Sequence, residues 1–211
     1  MQTTKISIHF FDTQTNTMKK PLLILLFFIF CFSANAQNSF YQRLADSALT
    51  LTQQKVIYDP AYFSIKYPNG DVPADRGVCT DVVIRAYRKM GIDLQKEVHE
   101  DMKANFAKYP KIWGLKTTDR NIDHRRVPNL MAFFSRYGVT KKISNNAADY
   151  QPGDIVAWNL GGAITHIGIV SAKKAADGTY LIIHNIGNGQ VLENCLFSYK
   201  IIGHYQYNGQ Q

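Results

Sequence analysis

The chain predicts an α+β protein whose helices precede an antiparallel sheet. Apolar residues recur at helical spacing in several segments up to Gly138, and beyond Tyr150 short alternating segments are separated by turn residues. The chain opens, however, on a segment of another kind. After seventeen mostly polar residues comes "MKKPLLILLFFIFCFSANAQ", where Lys19 and Lys20 precede an apolar run from Leu22 to Phe32. Ala34-Asn35-Ala36 then fits the small-residue pattern cut by signal peptidase. Met18 reads as the start and Gln37 as the first mature residue. An anchoring helix needs nearly twenty apolar residues, whereas this run has eleven before Ser33, so no membrane span is expected after cleavage.

Residues 1–36 thus form an N-terminal extension and signal peptide, and 37–211 form one domain of 175 residues with no internal repeat or Pro/Ser/Gly linker. Loss of Lys5, Lys19, Lys20 and Asp12 leaves 21 basic against 15 acidic side chains, a net charge of +6. An exported basic protein suits anionic envelope polymers or carboxylate-bearing substrates, bacterial cell wall first among them. The basic residues form no stripe or recognition motif, so nucleic acid is not expected as a partner. The oligomeric state is not legible.

The first helix is expected over Asn38–Gln54, with Leu44, Leu49 and Leu51 on its apolar side. The second begins within "DRGVCTDVVIRAYRKMG": Val82, Val83, Ala86, Tyr87 and Met90 recur at helical spacing, and Gly91 stops it. Cys79 therefore stands at a helix N-terminus, where unpaired N–H groups and the helix dipole favour a thiolate, while Asp81 opposes it. Gly77 just before it would let the backbone approach a substrate. "KEVHEDMK" around His99 lacks zinc-protease spacing and reads as a solvated helix face.

In "DRNIDHRRVPNLMAFFSRYG" Pro128 opens a helix running through Leu130, Phe133 and Phe134 to Gly138. Arg125 and Arg126 before it are candidate substrate-binding residues, because guanidinium groups grip carboxylates in bidentate geometry. The competing reading is a capping or salt-bridge cluster with Asp123 and His124.

The sheet begins in "YQPGDIVAWNLGGAITHIGIV", with a strand Asp154–Trp158, a Gly-Gly loop and a second strand opening at His166. "TYLIIHNIGNG" is a third strand ending near His184. Alternation sets His166, Gly168 and Val170 on one face, and Tyr180, Ile182 and His184 on one face of the next strand. For His166 to lie opposite His184 the hairpin must centre on residue 175, which requires a wide loop through "AKKAADG" rather than a tight Asp177-Gly178 turn. His204 in "IIGHYQY" reads as a hydrogen-bonded structural residue. Trp113 and Trp158 read as core aromatics.

Cys79 and Cys195 are the mature chain's cysteines, and in an oxidising compartment a disulfide between them stays open. Cys195, in a strand-like segment, reads as core filler or as that partner. A helix-borne cysteine followed by a strand-borne histidine and a polar residue on the adjacent strand is the logic of a thiol hydrolase. Cys79 attacks, His166 shuttles the proton and His184 orients His166; Asn185 is the alternative orienter. The oxyanion would be held by the Cys79 N–H and a second donor.

The order Cys79, "PGDIVAW", "HIGIV" and "IIHNIG" resembles the NlpC-type, papain-like cell-wall cysteine peptidases. More closely, "DRGVCTDVVIRAYRKMGIDLQ", "NIDHRRVPNL", "GDIVAW", "HIGIV", "HNIGNG" and "GHYQY" are similar to the exported bacterial domain-of-unknown-function family 1287, from about Tyr58 to Tyr207. The resemblance implies a papain-like (NlpC-type) fold, with the nucleophile helix packed on an antiparallel β-sheet. It also implies Cys79, His166 and His184 as the catalytic set, peptidoglycan or another anionic envelope peptide as partner, and a periplasmic home. Around the nucleophile the chain has Val78-Cys79-Thr80-Asp81, whereas those peptidases usually carry Asp-Cys-Ser-Gly. The expected function is a cysteine amidase or endopeptidase with no cofactor and no metal. Two rivals stand beside it: a non-catalytic cell-wall-binding protein on the same fold, and a zinc site built from Cys79, His166 and His184.

Overall fold

The structure is a computed structural model and describes residues 40–209, so the expected signal peptide, its start at Met18 and its cleavage after Ala36 lie outside the described residues. The described residues fall in one compact unit, Gln37–Gln211. No helix among them is long and apolar enough to cross a membrane.

Four helices come first. The first, α1, covers 40–51 and turns Leu44, Ala48 and Leu51 into the core at i, i+4 and i+7. Two-residue strands β1 (Ile57–Tyr58) and β2 (Arg76–Gly77) then pair in parallel. The second helix, α2 (Cys79–Lys89), buries Val82, Val83, Ala86 and Tyr87 completely. Val78 is its N-cap and has no side-chain acceptor, so Asp81 reaches back and accepts the Val78 N–H at 2.7 Å. Helix α3 (Leu94–Ala104) is capped by Asp93, whose side chain accepts from Gln95 and Lys96 N–H. Helix α4 (Val127–Tyr137) carries Pro128 in its first turn, where a missing N–H costs nothing, and buries Leu130, Phe133 and Phe134.

A six-stranded antiparallel sheet follows: β3 (Val139–Thr140), β4 (Ile155–Gly161), β5 (Ile164–Lys174), β6 (Tyr180–His184), β7 (Val191–Glu193) and β8 (Lys200–Gln206). Their spatial order is β3-β8-β4-β5-β6-β7. The expected meander is thus present as β4-β5-β6, with β5 opening two residues before His166. The two faces of the sheet feed two cores. Ile155, Ala157, Ile167, Ile169 and Ile183 join Cys79 and the helices, while Val156, Trp158, Val170 and Ile182 pack with Cys195 and Leu196. Cys195 itself lies in a turn between β7 and β8 rather than in a strand.

The hairpin register differs from expectation. Ile169 faces Ile183 and Val170 faces Ile182, a centre at residue 176, and the turn is short, with Ala175 N–H donating to Thr179 O at 2.8 Å. An irregularity between Val170 and Lys174 supplies the offset between this register and the tip, where Lys174 faces Tyr180. His184 therefore stands level with Gly168 and diagonal to His166.

Asp154 explains why β8 lies beside β4. Fully buried, it accepts from His204 Nε2 at 2.7 Å and Gln206 Nε2 at 2.7 Å on β8, and from Gln151 N–H at 2.9 Å in its own turn. His204 completes this with Nδ1 3.0 Å from Lys142 O and a stacked contact on Tyr150, a structural role as expected.

Candidate active site

Cys79 is 7% exposed and sits at the floor of a cleft of about 240 Å³, lined among others by Tyr58, Trp113, Arg126, Pro128 and Thr165. Its sulfur meets β5 in a particular way. Val170 N–H donates to Asp154 O on the β4 side, so by alternation the Ile167 N–H faces the β6 side, beyond the point where β6 ends. That freed N–H points at the sulfur, as do those of Thr80 and Cys79. The three donors favour a thiolate, but burial outweighs them and, with a smaller push from Asp81, raises the thiol to about 12. Burial thus decides the balance that the helix terminus and Asp81 left open in the sequence, and it keeps the thiol protonated.

His166 and His184 meet across the β5–β6 diagonal, His166 Nε2 lying 2.8 Å from His184 Nδ1. His184 Nε2 lies 2.9 Å from Glu193 Oε2, and Cys195 Sγ is 3.5 Å from the same nitrogen. As a carboxylate Glu193 only accepts, so His184 carries its proton on Nε2 and offers the lone pair of Nδ1. His166 then donates its Nε2–H and keeps Nδ1 unprotonated. The chain Glu193–His184–His166 thus leaves the tautomer of His166 that has a basic nitrogen to give. Burial, reinforced by the charge of His184, lowers His166 to about 3; His184 is lowered too, by burial against the opposing pull of Glu193.

Among the described residues no hydrogen bond joins the Cys79 thiol to either imidazole. The thiol receives the N–H of the residue next to His166, and both groups rest neutral. The Asn185 side chain hydrogen-bonds to neither histidine among the described residues: its Nδ2 donates to Gly77 O at 3.1 Å, bracing the loop before the nucleophile, and its Oδ1 accepts from Gly187 N–H at 3.2 Å. Among the described residues Cys79, His166 and His184 do not converge as a metal-ligand group; the side chains whose ligand atoms gather at His184 are Glu193 and Cys195.

Arg125 and Arg126 part company. Arg125 forms a fork on Asp81, Nε to Oδ1 at 2.9 Å and Nη2 to Oδ2 at 3.0 Å, with side chains only 2% and 3% exposed. Arg125 is thus a structural salt bridge as the competing reading had it, but with Asp81 rather than Asp123 or His124, and tied to the helix cap that holds Cys79. Gly77 belongs to the same packing, since a Cβ there would stand 3.1 Å from Asp81 Cβ. Arg126 instead lies in the cleft, its guanidinium 4.2 Å over the Trp113 ring, with Nη1 buried and unpartnered among the described residues. Trp113 is 38% exposed and so is a platform rather than the core aromatic expected; Trp158 is core. His99 is half-buried on Asp123 rather than solvated.

Glu193 was not picked out by the sequence reading. Its signal was the strand "VLE": Glu193 faces Ile182 across β6–β7, so alternation turns it to the His184 face.

The neutral imidazoles make stability pH-dependent. His166 and His124 are each lowered to about 3 in the fold, with burial the leading cause. Below the ordinary value of 6.5 the unfolded chain binds protons that the fold refuses, so stability falls as pH drops, by about 1.4 kcal/mol per unit for each group. Urea midpoints are expected to be level at pH 7–8 and to fall steadily below pH 6.5; a midpoint flat down to pH 4.5 would contradict neutral burial.

A family model described as "Domain of unknown function (DUF1287)" matches residues 45–207. The chain is 56% identical over 164 residues to a protein of Escherichia coli (strain K12) described as "Uncharacterized protein YijF", covering 78% of this chain and 80% of the relative. No solved structure matches.

Proposed function

The chain belongs to the DUF1287 family, and from its site we propose that it is an exported cysteine hydrolase of papain-like, NlpC-type fold that cleaves amide bonds in peptidoglycan peptides. The observation that carries this reading is the ordered chain Glu193–His184–His166, which leaves His166 Nδ1 unprotonated one residue from the N–H that meets the Cys79 sulfur.

In the reaction the sulfur attacks the amide carbonyl carbon as His166 Nδ1 takes the thiol proton. The C–N bond then breaks, the amine leaves with that proton, and a thioester remains. Water, deprotonated by the same imidazole, hydrolyses the thioester to the acid and restores the thiol. Because thiol and imidazole rest neutral, proton transfer accompanies attack. The Cys79 N–H, at the helix N-terminus beside the nucleophile, suits one oxyanion donor.

Arg126, its guanidinium over the Trp113 ring at the cleft and its Nη1 without a partner among the described residues, suits a substrate carboxylate, and the basic chain suits an anionic envelope partner. An Arg126→Ala variant is expected to raise KM about 10–100-fold for carboxylate-bearing peptides, the worth of one charge-assisted hydrogen bond, with kcat little changed. Equal KM for carboxylate and amide versions of the substrate in wild type would remove Arg126 from recognition.

The burial of Cys79 favours a second reading, a cell-wall-binding protein on the same fold that cuts nothing. One experiment separates them. Muropeptides are incubated with wild type and Cys79→Ser, products are read by mass spectrometry, and binding is read by calorimetry. New amine and acid termini with wild type alone support the hydrolase; equal binding by both proteins with no product supports the binder.

A further inference from the structure

We propose that His184 Nε2, Glu193 Oε2 and Cys195 Sγ form a zinc site, and that a bound zinc ion switches the thiol site off. The switching, though not the binding, rests on the hydrolase reading above.

The three atoms lie within 4.8 Å of one another, at 2.9 Å from Nε2 to Oε2 and 3.5 Å from Nε2 to Sγ. Zinc bonds of about 2.0–2.3 Å in tetrahedral array require ligand atoms roughly 3.3–3.7 Å apart. The nitrogen–sulfur pair already meets this, and the carboxylate must move roughly half an ångström away from Nε2 while coming within bonding range of an ion beside Sγ. It is free to do so, because the Glu193 side chain is 54% exposed while His184 is 1% exposed. The same exposure gives the ion its way in and leaves a solvent-facing fourth position for water.

The fold brings these ligands together from short-range elements. Strands β6 and β7 set Glu193 beside the His184 face, and the turn after β7 returns the buried Cys195 to the same nitrogen. One nitrogen, one oxygen and one sulfur donor suit zinc rather than magnesium or calcium, which seek oxygen alone. The Cys195 thiol has no part in the proposed hydrolysis, and a metal bound there would displace its proton.

Binding at His184 Nε2 has a consequence for the base. A metal-bound imidazole carries its proton on the other nitrogen, so His184 would donate from Nδ1 to His166 Nε2. His166 would then hold its proton on Nδ1, the atom that must accept the thiol proton. Zinc thus reverses the tautomers of both rings without touching Cys79.

The test uses cobalt(II) as a spectroscopic probe on the purified protein. One Co²⁺ per chain is expected, with a thiolate-to-cobalt absorption band in the near ultraviolet that zinc abolishes by displacement. The band is expected to persist in Cys79→Ser, to vanish in Cys195→Ser, and in Glu193→Gln to require about 10–100-fold more metal. No stoichiometric binding of cobalt or zinc, or a band that follows Cys79, overturns the site. Muropeptide turnover then tests the switch: one equivalent of zinc stops wild type and a chelator restores it. Metal bound through Cys195 with turnover unaffected overturns the switch and leaves the site standing. Absence of turnover with and without zinc instead overturns the hydrolase reading, and with it the switch, while the cobalt band still reports the site.

Discussion

Replacing Cys79 with serine is expected to lower muropeptide turnover by about 10⁴-fold or more, with thermal stability and substrate binding close to wild type. Serine is nearly isosteric and keeps a hydroxyl within reach of the Ile167, Thr80 and Cys79 N–H groups, so the loss reports the nucleophile and not the scaffold. The wild-type thiol carries its own signature. With burial holding it near 12, its alkylation by iodoacetamide should quicken about tenfold per pH unit from pH 6 to 10, without a plateau near neutrality. A rapid, pH-independent reaction down to pH 5 would instead reveal a standing thiolate–imidazolium pair, and attack would then need no concerted proton transfer. A turnover rate unchanged in Cys79→Ser would move the chemistry elsewhere altogether.

Arg125→Ala is expected to destabilise the fold by about 3–5 kcal/mol, because it strands the Asp81 carboxylate in an interior from which water is excluded. Arg125 also gives Nη1 to Ala61 O at 3.1 Å, so the loss opens the loop ahead of β2 as well. Arg125→Lys recovers only part, since an ammonium cannot fork onto both carboxylate oxygens. Urea unfolding of the two variants measures this: a loss of unfolding free energy below about 1 kcal/mol for Arg125→Ala would mean that Asp81 finds solvent or another partner in place of Arg125. Asp81 also caps α2; in Asp81→Asn the amide oxygen still accepts the Val78 N–H, but the buried Arg125 guanidinium loses its counter-charge, so this variant too should cost several kcal/mol, about as much as Arg125→Ala.

What the sequence made legible was local. Helical spacing from Val82 to Met90 and alternation through "HIGIV" and "LIIH" depend on neighbours within a few positions, and the helix and strands stand where those patterns put them. The pairing of His166 with His184 was legible in kind but not in register, since an irregularity between Val170 and Lys174 leaves no mark on composition. Arg125 and Arg126 are adjacent and chemically identical; only partners 44 residues away, at Asp81, and in the Trp113 loop assign one to the scaffold and the other to the cleft. Glu193 was hidden because its three-residue strand is too short for alternation to announce itself.

The order β3-β8-β4 has a consequence in time. The strand that fills the gap between β3 and β4 comes last in the described chain, after every residue of the thiol and histidine chain has been made. Until residues 200–206 emerge, β4 offers an open edge, and Asp154, the anchor of the turn ahead of it, lacks the two β8 side chains that hold it. A nascent chain halted at Glu193 thus already contains Cys79, His166, His184 and Glu193, yet has no closed sheet to hold them in register. The site proposed for the thiol chemistry is therefore held in register only once this last described strand is in place.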